Sequence, residues 1–177
     1  MQNIIVLDRD GVINEDSDAY IKSAEEWLPV PGSIEAIQRL KAAGWCVAIA
    51  TNQSGVRRGY YSHQALSEMH QKLQRLVGGA GIDWISYSPY LPEDNSPSRK
   101  PGTGMLEAIE RRFNVSLCEC VMVGDTLADV KVALAKQMRP ILVKTGKGQA
   151  TLASRDPILE NVAVYENLQD VVEALLK

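Results

Sequence analysis

Short apolar runs alternate along the chain with longer stretches whose apolar positions recur every three or four residues. Residues 4–7, 47–50, 84–87, 121–123 and 140–143 are brief, mostly β-branched or otherwise apolar, and bounded by polar or turn-forming positions. They read as strands, and residues 163–165 are a candidate sixth. The first helical stretch, 33–43, follows Pro31-Gly32, with Ser33 as its candidate N-cap and Gly44 as its stop. Its Ile34, Ile37, Leu40 and Ala43 repeat at helical spacing. Residues 62–77 start at a Ser and end at Gly78-Gly79, and 103–113, 127–136 and 168–176 complete the helical set. Strand–helix alternation with continuously apolar strands predicts an α/β fold: a three-layer, Rossmann-like arrangement with a central parallel sheet covered on both faces. The 177 residues suit a single domain spanning 1–177.

Ligands of such sheets bind at the carboxyl ends of the strands, so the residues after each strand carry the chemical information. Asp8-Arg9-Asp10-Gly11-Val12 follows the first strand and Thr51-Asn52-Gln53-Ser54-Gly55 the second. The loop after the third runs to Arg99-Lys100-Pro101. Gly124-Asp125-Thr126 follows the fourth, with Asp129 one turn into the next helix. Asp8, Asp10 and Asp125 together make a hard oxygen site suited to Mg²⁺. Lys100, Thr51 and loop N–H groups suit a phosphate. An aspartate at a strand end can attack phosphorus and become a mixed anhydride. A second carboxylate can protonate the leaving alkoxide and then deprotonate the hydrolytic water.

Composition narrows the partners. A net charge of −3 argues against a broad basic face for nucleic acid but permits a few cations in a pocket for a small anion. No apolar run approaches spanning length, so no membrane association is expected, and a cytoplasmic location is the default expectation. The odd count of cysteines, Cys46, Cys118 and Cys120, fits a reducing compartment. Cys118 and Cys120 are expected to begin a strand and share one of its faces.

The four strand-end segments resemble the four ordered motifs of the haloacid dehalogenase superfamily in content, order and spacing. That resemblance implies Asp8 as nucleophile and Asp10 as acid and base. It implies Mg²⁺ held by Asp8, the main-chain carbonyl of Asp10 and Asp125, with Asp129 supporting, and a phosphoryl group held by Thr51 and Lys100. Residues 7–14, 51–55, Arg58-Gly59, Arg99-Lys100-Pro101, Pro31-Gly32 and 144–148 further resemble the D-glycero-D-manno-heptose 1,7-bisphosphate phosphatases, relatives of the histidinol-phosphatases. This closer resemblance implies removal of the C7 phosphate in making the activated heptose of bacterial lipopolysaccharide. It also implies a phosphorylated sugar as the small-molecule partner, a chain without a large cap domain, and a monomer or weak oligomer. By the same resemblance Asp16, Asp18 and Tyr20 lie on a substrate loop, and Asn52, Gln53, Ser54, Arg58, Arg99 and Thr126 are further substrate or phosphate contacts. Thr126 stands where relatives often carry Lys.

One departure is large. Relatives commonly hold a structural zinc just before Arg-Lys-Pro, and the four ligand positions here are Ser88, Tyr90, Ser96 and Ser98. Neutral hydroxyls do not make a tetrahedral zinc site, so no zinc is expected. The loop is expected to be held by its prolines, by packing of Tyr90 and by local hydrogen bonds.

Other residues keep two readings. Arg57 and Arg58 are solvated surface or reach a distal phosphate. Lys144 and Lys147 are a solvated loop or an anion site, and Asp16 and Asp18 are turn residues or substrate contacts. His63 and His70 read as helix residues away from the motifs. Trp27, Trp45 and Trp84 read as core. A binding protein that kept the fold and lost catalysis is disfavoured by the complete set Asp8, Asp10, Thr51, Lys100 and Asp125. Dehalogenase and phosphonatase chemistries are disfavoured by Asp10 and by the lack of room for a cap lysine.

Overall fold

The computed structural model describes residues 3–177. One six-stranded sheet contains β1 Ile4–Leu7, β2 Cys46–Asn52, β3 Trp84–Ser88, β4 Val121–Gly124, β5 Arg139–Val143 and β6 Ala163–Tyr165. Their order is β3-β2-β1-β4-β5-β6, every pairing parallel. Six α-helices connect them: α1 Ser33–Ala42, α2 His63–Val77, α3 Gly104–Phe113, α4 Leu127–Ala135, α5 Gly148–Ala153 and α6 Leu168–Leu175. The expected α/β fold therefore forms.

Alternation along the strands explains the two covered faces. Ile5 and Leu7 of β1 join Val47, Ile49, Val121 and Val123 in a core closed by α1, α2 and α6, through Ile37, Leu40, Met69, Leu73 and Val171. Ile4 and Val6 point the other way, with Ala48 and Met122, onto Met105, Leu106 and Ile109 of α3 and Val132 of α4. Each such side chain contributes ~1.5–3 kcal/mol on full burial, which is why the strands show no polar alternation.

Trp27 is fully buried in the first core. Lys72 Nζ donates to the carbonyls of Ala24 and Trp27 at 2.7 and 2.6 Å, fastening the long β1–α1 connection to α2. Trp45 and Trp84 are half-buried against the first and second cores, and the Arg112 guanidinium lies 5.3 Å from the Trp84 ring.

Some local expectations are corrected. Gly32, not Ser33, occupies the N-cap of α1, with φ 84°; Ser33 is the first helical residue and its hydroxyl donates to the Val12 carbonyl at 2.8 Å. Cys118 and Cys120 lie in the turn before β4, because Glu119 takes a left-handed φ of 65° and pairing with β1 begins only at Val121. The short helix α5 has no counterpart in the expected set. Tyr90 is 43% exposed and does not pack the loop.

Instead, Ser98 Oγ lies 3.0 Å from both Ser88 Oγ and Ser96 Oγ. Leu91 N–H donates to Asp94 at 2.9 Å, and Arg99 Nη1 to the Tyr90 carbonyl at 3.1 Å. Three of the four family ligand positions thus tie the loop through hydroxyls. No helix among the described residues is long and apolar enough to cross a membrane.

Candidate active site

Parallel order fixes the site. The chain runs outward from β1 through β2 to β3, then returns to place β4 on the other side of β1. The carboxyl ends of β1 and β4 are therefore neighbours at the reversal point, with Asp8 N–H donating to the Val123 carbonyl at 2.9 Å. Asp8 follows β1 and Asp125 follows β4, and α4 brings Asp129 up beside them. One oxygen from each of Asp8, Asp125 and Asp129 lies within 4.8 Å of the others.

Lys100 arrives from the β3–α3 loop, which Asn52 holds from both sides. Asn52 Oδ1 accepts from Lys100 N–H at 3.0 Å and its Nδ2 donates to the Lys100 carbonyl at 3.1 Å. The Lys100 ammonium is buried, 2.9 Å from Asp8 Oδ1 and 2.7 Å from Asp129 Oδ1. Burial alone would lower its pKa. Asp129 and then Asp8 outweigh that and hold it charged, well above the ordinary lysine range.

The second oxygen of Asp129 accepts from the N–H groups of Asp125 and Thr126 and from the Thr126 hydroxyl, at 3.2, 3.1 and 2.8 Å. Asp129 is thus saturated by protein donors, and Thr126 caps α4 with it as a capping box. Thr126 lines the cavity, but its hydroxyl hydrogen is committed to Asp129.

Asp125 is different. Its Oδ2 accepts the Lys147 N–H at 2.8 Å, while its buried Oδ1 has no partner. Burial first, then the Asp129 charge, pushes its carboxyl up to about 7. Asp8 is likewise raised well above the usual range, by burial and then by Asp129. A hard cation fits this donor set: it would satisfy the orphan oxygen and offset the repulsion. The backbone packs closely to allow it. A Cβ on Gly11 would sit 2.2 Å, and one on Gly146 2.4 Å, from Asp125 Oδ2.

Asp10 faces the cavity from the other side. Its Oδ1 accepts from Arg9 Nε and Nη2 at 3.1 and 2.7 Å and from Asn14 Nδ2 at 2.9 Å; its Oδ2 accepts from Gln53 Nε2 at 2.9 Å. Burial acts to raise its pKa, but Arg9, Asn14 and Gln53 together hold it below the ordinary value. Gln53 also donates to Thr51 Oγ1 at 2.9 Å and accepts from the Tyr61 hydroxyl at 2.6 Å.

The cavity above these groups measures about 370 Å³. Among its walls are Asp8, Asp10, Asp16, Asp18, Tyr20, Asn52, Gln53, Ser54, Arg99, Lys100, Asp125 and Thr126. The structure so brings together nearly every residue expected from the motifs. Thr51 lies buried behind Gln53, and Arg58 is exposed outside this lining. Arg57 is an exposed partner of Asp94 at 3.8 Å. Lys144 pairs with Glu166, away from the cavity lining. Lys147 lines the cavity, its ammonium 3.4 Å from Asp16.

Sequence reasoning gave no role to Arg9, Asn14 or Tyr61, while Ser17 lines the cavity within the expected substrate loop. Asn14 had a signal, since it sits four residues after Asp10 within the motif block. His70 is a partly buried helix residue as expected, but its placement away from the motifs is corrected, because its Nε2 lies 3.2 Å from Arg9 Nη1.

Known proteins match this arrangement. Residues 97–171 match a family model described as HAD-hydrolase-like. The D-glycero-beta-D-manno-heptose-1,7-bisphosphate 7-phosphatase of Pseudomonas aeruginosa is 47% identical over 178 residues, covering 99% of each chain. The enzyme of that name from Neisseria meningitidis is 45% identical, covering 98% of this chain and 95% of that one. A crystal structure of D,D-heptose 1.7-bisphosphate phosphatase from B. bronchiseptica, complexed with magnesium and phosphate, superposes with a TM-score of 0.93 at 43% identity, covering 99% of this chain and 98% of the other. With that identity over essentially its whole length, the chain belongs to the heptose-1,7-bisphosphate 7-phosphatase family of haloacid dehalogenase-like hydrolases and is a phosphoric monoester hydrolase.

Proposed function

We propose that the chain, acting as one catalytic domain, hydrolyses the C7 phosphate of D-glycero-D-manno-heptose 1,7-bisphosphate through an aspartyl-phosphate on Asp8, with Mg²⁺ as cofactor. The carrying observation is the Asp8–Lys100–Asp129 chain beside the orphan oxygen of Asp125, within one cavity. Lys100 and Arg9 N–H fix Asp8 Oδ1, at 2.9 and 2.8 Å, which orients the carboxylate for attack.

In the first half-reaction a carboxylate oxygen of Asp8 bonds to phosphorus. The bond from phosphorus to the C7 oxygen breaks, and that oxygen takes its electron pair and a proton from Asp10. In the second, water attacks phosphorus, gives its proton to Asp10, and releases Asp8 and inorganic phosphate. The hydrogen bonds on Asp10 favour its ionised form, as the second half requires. A phosphate dianion beside it raises its proton affinity for the first. Mg²⁺ on Asp8, the Asp10 carbonyl and Asp125 would neutralise charge on the phosphoryl oxygens. Arg99 and Lys147 are the further cations on the wall, and Asp16, Asp18, Tyr20, Asn52, Gln53 and Ser54 offer polar contacts to a sugar. The setting so proposed is the supply of activated heptose for lipopolysaccharide, in the cytoplasm.

Phosphate release over a panel of both heptose bisphosphate anomers, histidinol phosphate and simple sugar monophosphates tests the substrate. A heptose bisphosphate is expected to give the highest kcat/KM. Equal rates across the panel would defeat the specific assignment.

Thermal unfolding tests the cofactor. The folded pKa of Asp125 lies above its ordinary value, so its contribution to stability is present below about pH 4 and is lost as pH rises through about 7. Mg²⁺ relieves that penalty, so the rise in Tm on adding Mg²⁺ is expected to be larger at pH 8 than at pH 5.5. At a hundredfold excess over Kd the stabilisation is ~2.7 kcal/mol, or roughly 5–10 °C for a chain of this size. An unchanged Tm at pH 8 would rule the ion out of this cluster.

A further inference from the structure

Arg9 is the one arginine with no exposed surface. A buried guanidinium needs acceptors for its N–H groups and a counter-charge. Its Nε and Nη2 both go to Asp10 Oδ1. Its Nη1 has Met69 Sδ at 3.8 Å and His70 Nε2 at 3.2 Å, both from α2. Arginine cannot accept a hydrogen bond, so His70 Nε2 must carry a lone pair and the ring must be neutral with its proton on Nδ1. Burial, then the positive charge of Arg9, drives the His70 pKa down to about 3, while Asp10 acts weakly the other way. The Tyr87 ring lies against the imidazole at 6.3 Å between centroids.

The arrangement is asymmetric in a useful way. Asp10 Oδ1 receives three N–H donors and is saturated, whereas Oδ2 receives only Gln53 Nε2. Oδ2 therefore keeps a lone pair for a proton. A carboxylate in place of His70 would compete with Asp10 for Arg9, and a cation would expel it. A neutral acceptor at this position directs the guanidinium onto Asp10.

We infer that His70 is a positioning residue for catalysis: through Arg9 it fixes the Asp10 carboxylate in the orientation that delivers and accepts the reaction's proton. This rests on the acid–base role proposed above for Asp10.

Two measurements test it. The chain has only two histidines, so ¹⁵N imidazole NMR of the whole protein, with His63→Asn for assignment, reads His70 directly. The expected result is a neutral ring, with the proton on Nδ1, from pH 8 to pH 5. A ring that protonates in that range would overturn the inference. Kinetics then separates positioning from simple packing. An alkyl phosphate needs its leaving oxygen protonated, and p-nitrophenyl phosphate does not. His70→Leu is expected to lower kcat/KM for the heptose bisphosphate roughly tenfold or more, with KM little changed, because misplacement of a catalytic group weakens the chemical step. The same variant is expected to change kcat/KM for p-nitrophenyl phosphate less than about threefold, since that step uses no general acid.

His70→Gln, whose amide oxygen can accept in place of Nε2, is expected to restore most of the rate and guards against a Leu variant that fails to fold. Equal losses on both esters, or a Gln variant as slow as Leu, would overturn the positioning role. A parent protein that hydrolyses neither ester would instead overturn the functional reading, while the NMR result still decides the acceptor.

Discussion

Asp8→Asn is expected to lower phosphate release from the preferred substrate by roughly 10⁴-fold or more, the scale seen when a covalent nucleophile is removed, while leaving the fold at least as stable. The first half follows from the chemistry: an amide oxygen cannot form and release the mixed anhydride. The second follows from the electrostatics. Asp8 is buried beside Asp129, Asp125 and Asp10, each of which raises its pKa, against the lowering influence of Lys100. A neutral isostere removes repulsion from the cluster, and Lys100 keeps Asp129 at 2.7 Å as its partner. Two measurements check this. Acid-quenched parent protein turned over with ³²P-labelled substrate should carry a hydroxylamine-labile label absent from the variant. Thermal melts without metal should show no fall in Tm for the variant. A variant that releases phosphate at the parent rate would exclude the covalent route.

The strands and the motif residues were legible because both signals are local. Parallel strands covered on two faces are continuously apolar, so β1, β4 and β5 announce themselves in a few residues. Asp8 and Asp125 lie directly after β1 and β4, and Thr51 and Asn52 close β2. The convergence of Asp8, Asp125 and Lys100 needed only the rule that such strands share a carboxyl edge. The short helix α5 escaped because its six residues carry no apolar period; it is set by tertiary bonds, with Thr151 donating to the Asp125 carbonyl at 2.7 Å. Lys147 stayed ambiguous for the same reason. What makes it part of the site is a turn, centred on Gly146, that aims its N–H at Asp125.

His70 lay further beyond reach. Sixty-one positions separate it from Arg9, and nothing in the spacing of a lone helical histidine says which strand end it backs. The loop before Lys100 was half legible. Loss of thiolate and imidazole at 88, 90, 96 and 98 could be read from residue types. That the Ser98 hydroxyl meets those of both Ser88 and Ser96, leaving Tyr90 outside, required the loop's own path.

Lys100→Met is expected to damage stability and activity together. The methionine keeps most of the apolar stem and removes the charge. Asp8 and Asp129 would then face each other without the cation that now lies 2.9 and 2.7 Å from them. Removing one partner of a buried ionic set costs ~3–5 kcal/mol, which for a chain of this size lowers Tm by about 10 °C or more. On the mechanism proposed above, in which this cation faces the phosphoryl oxygens, its loss should also cut kcat by roughly 10²-fold or more.

The pH dependence separates charge from packing. In the parent, Lys100 is raised above its ordinary range, so its ammonium stays charged at every pH below that range. In the variant, Asp8 loses the lowering influence of Lys100 and its folded pKa, already raised by burial, rises further. A raised carboxyl contributes stability below its ordinary pKa and loses it as pH climbs through the folded value. The Tm deficit of Lys100→Met should therefore be small near pH 4.5 and full by pH 8, and Mg²⁺ should recover part of it at the higher pH. A deficit of the same size at both pH values would mean that the stem's packing, rather than the ammonium between the two aspartates, holds this end of the sheet together.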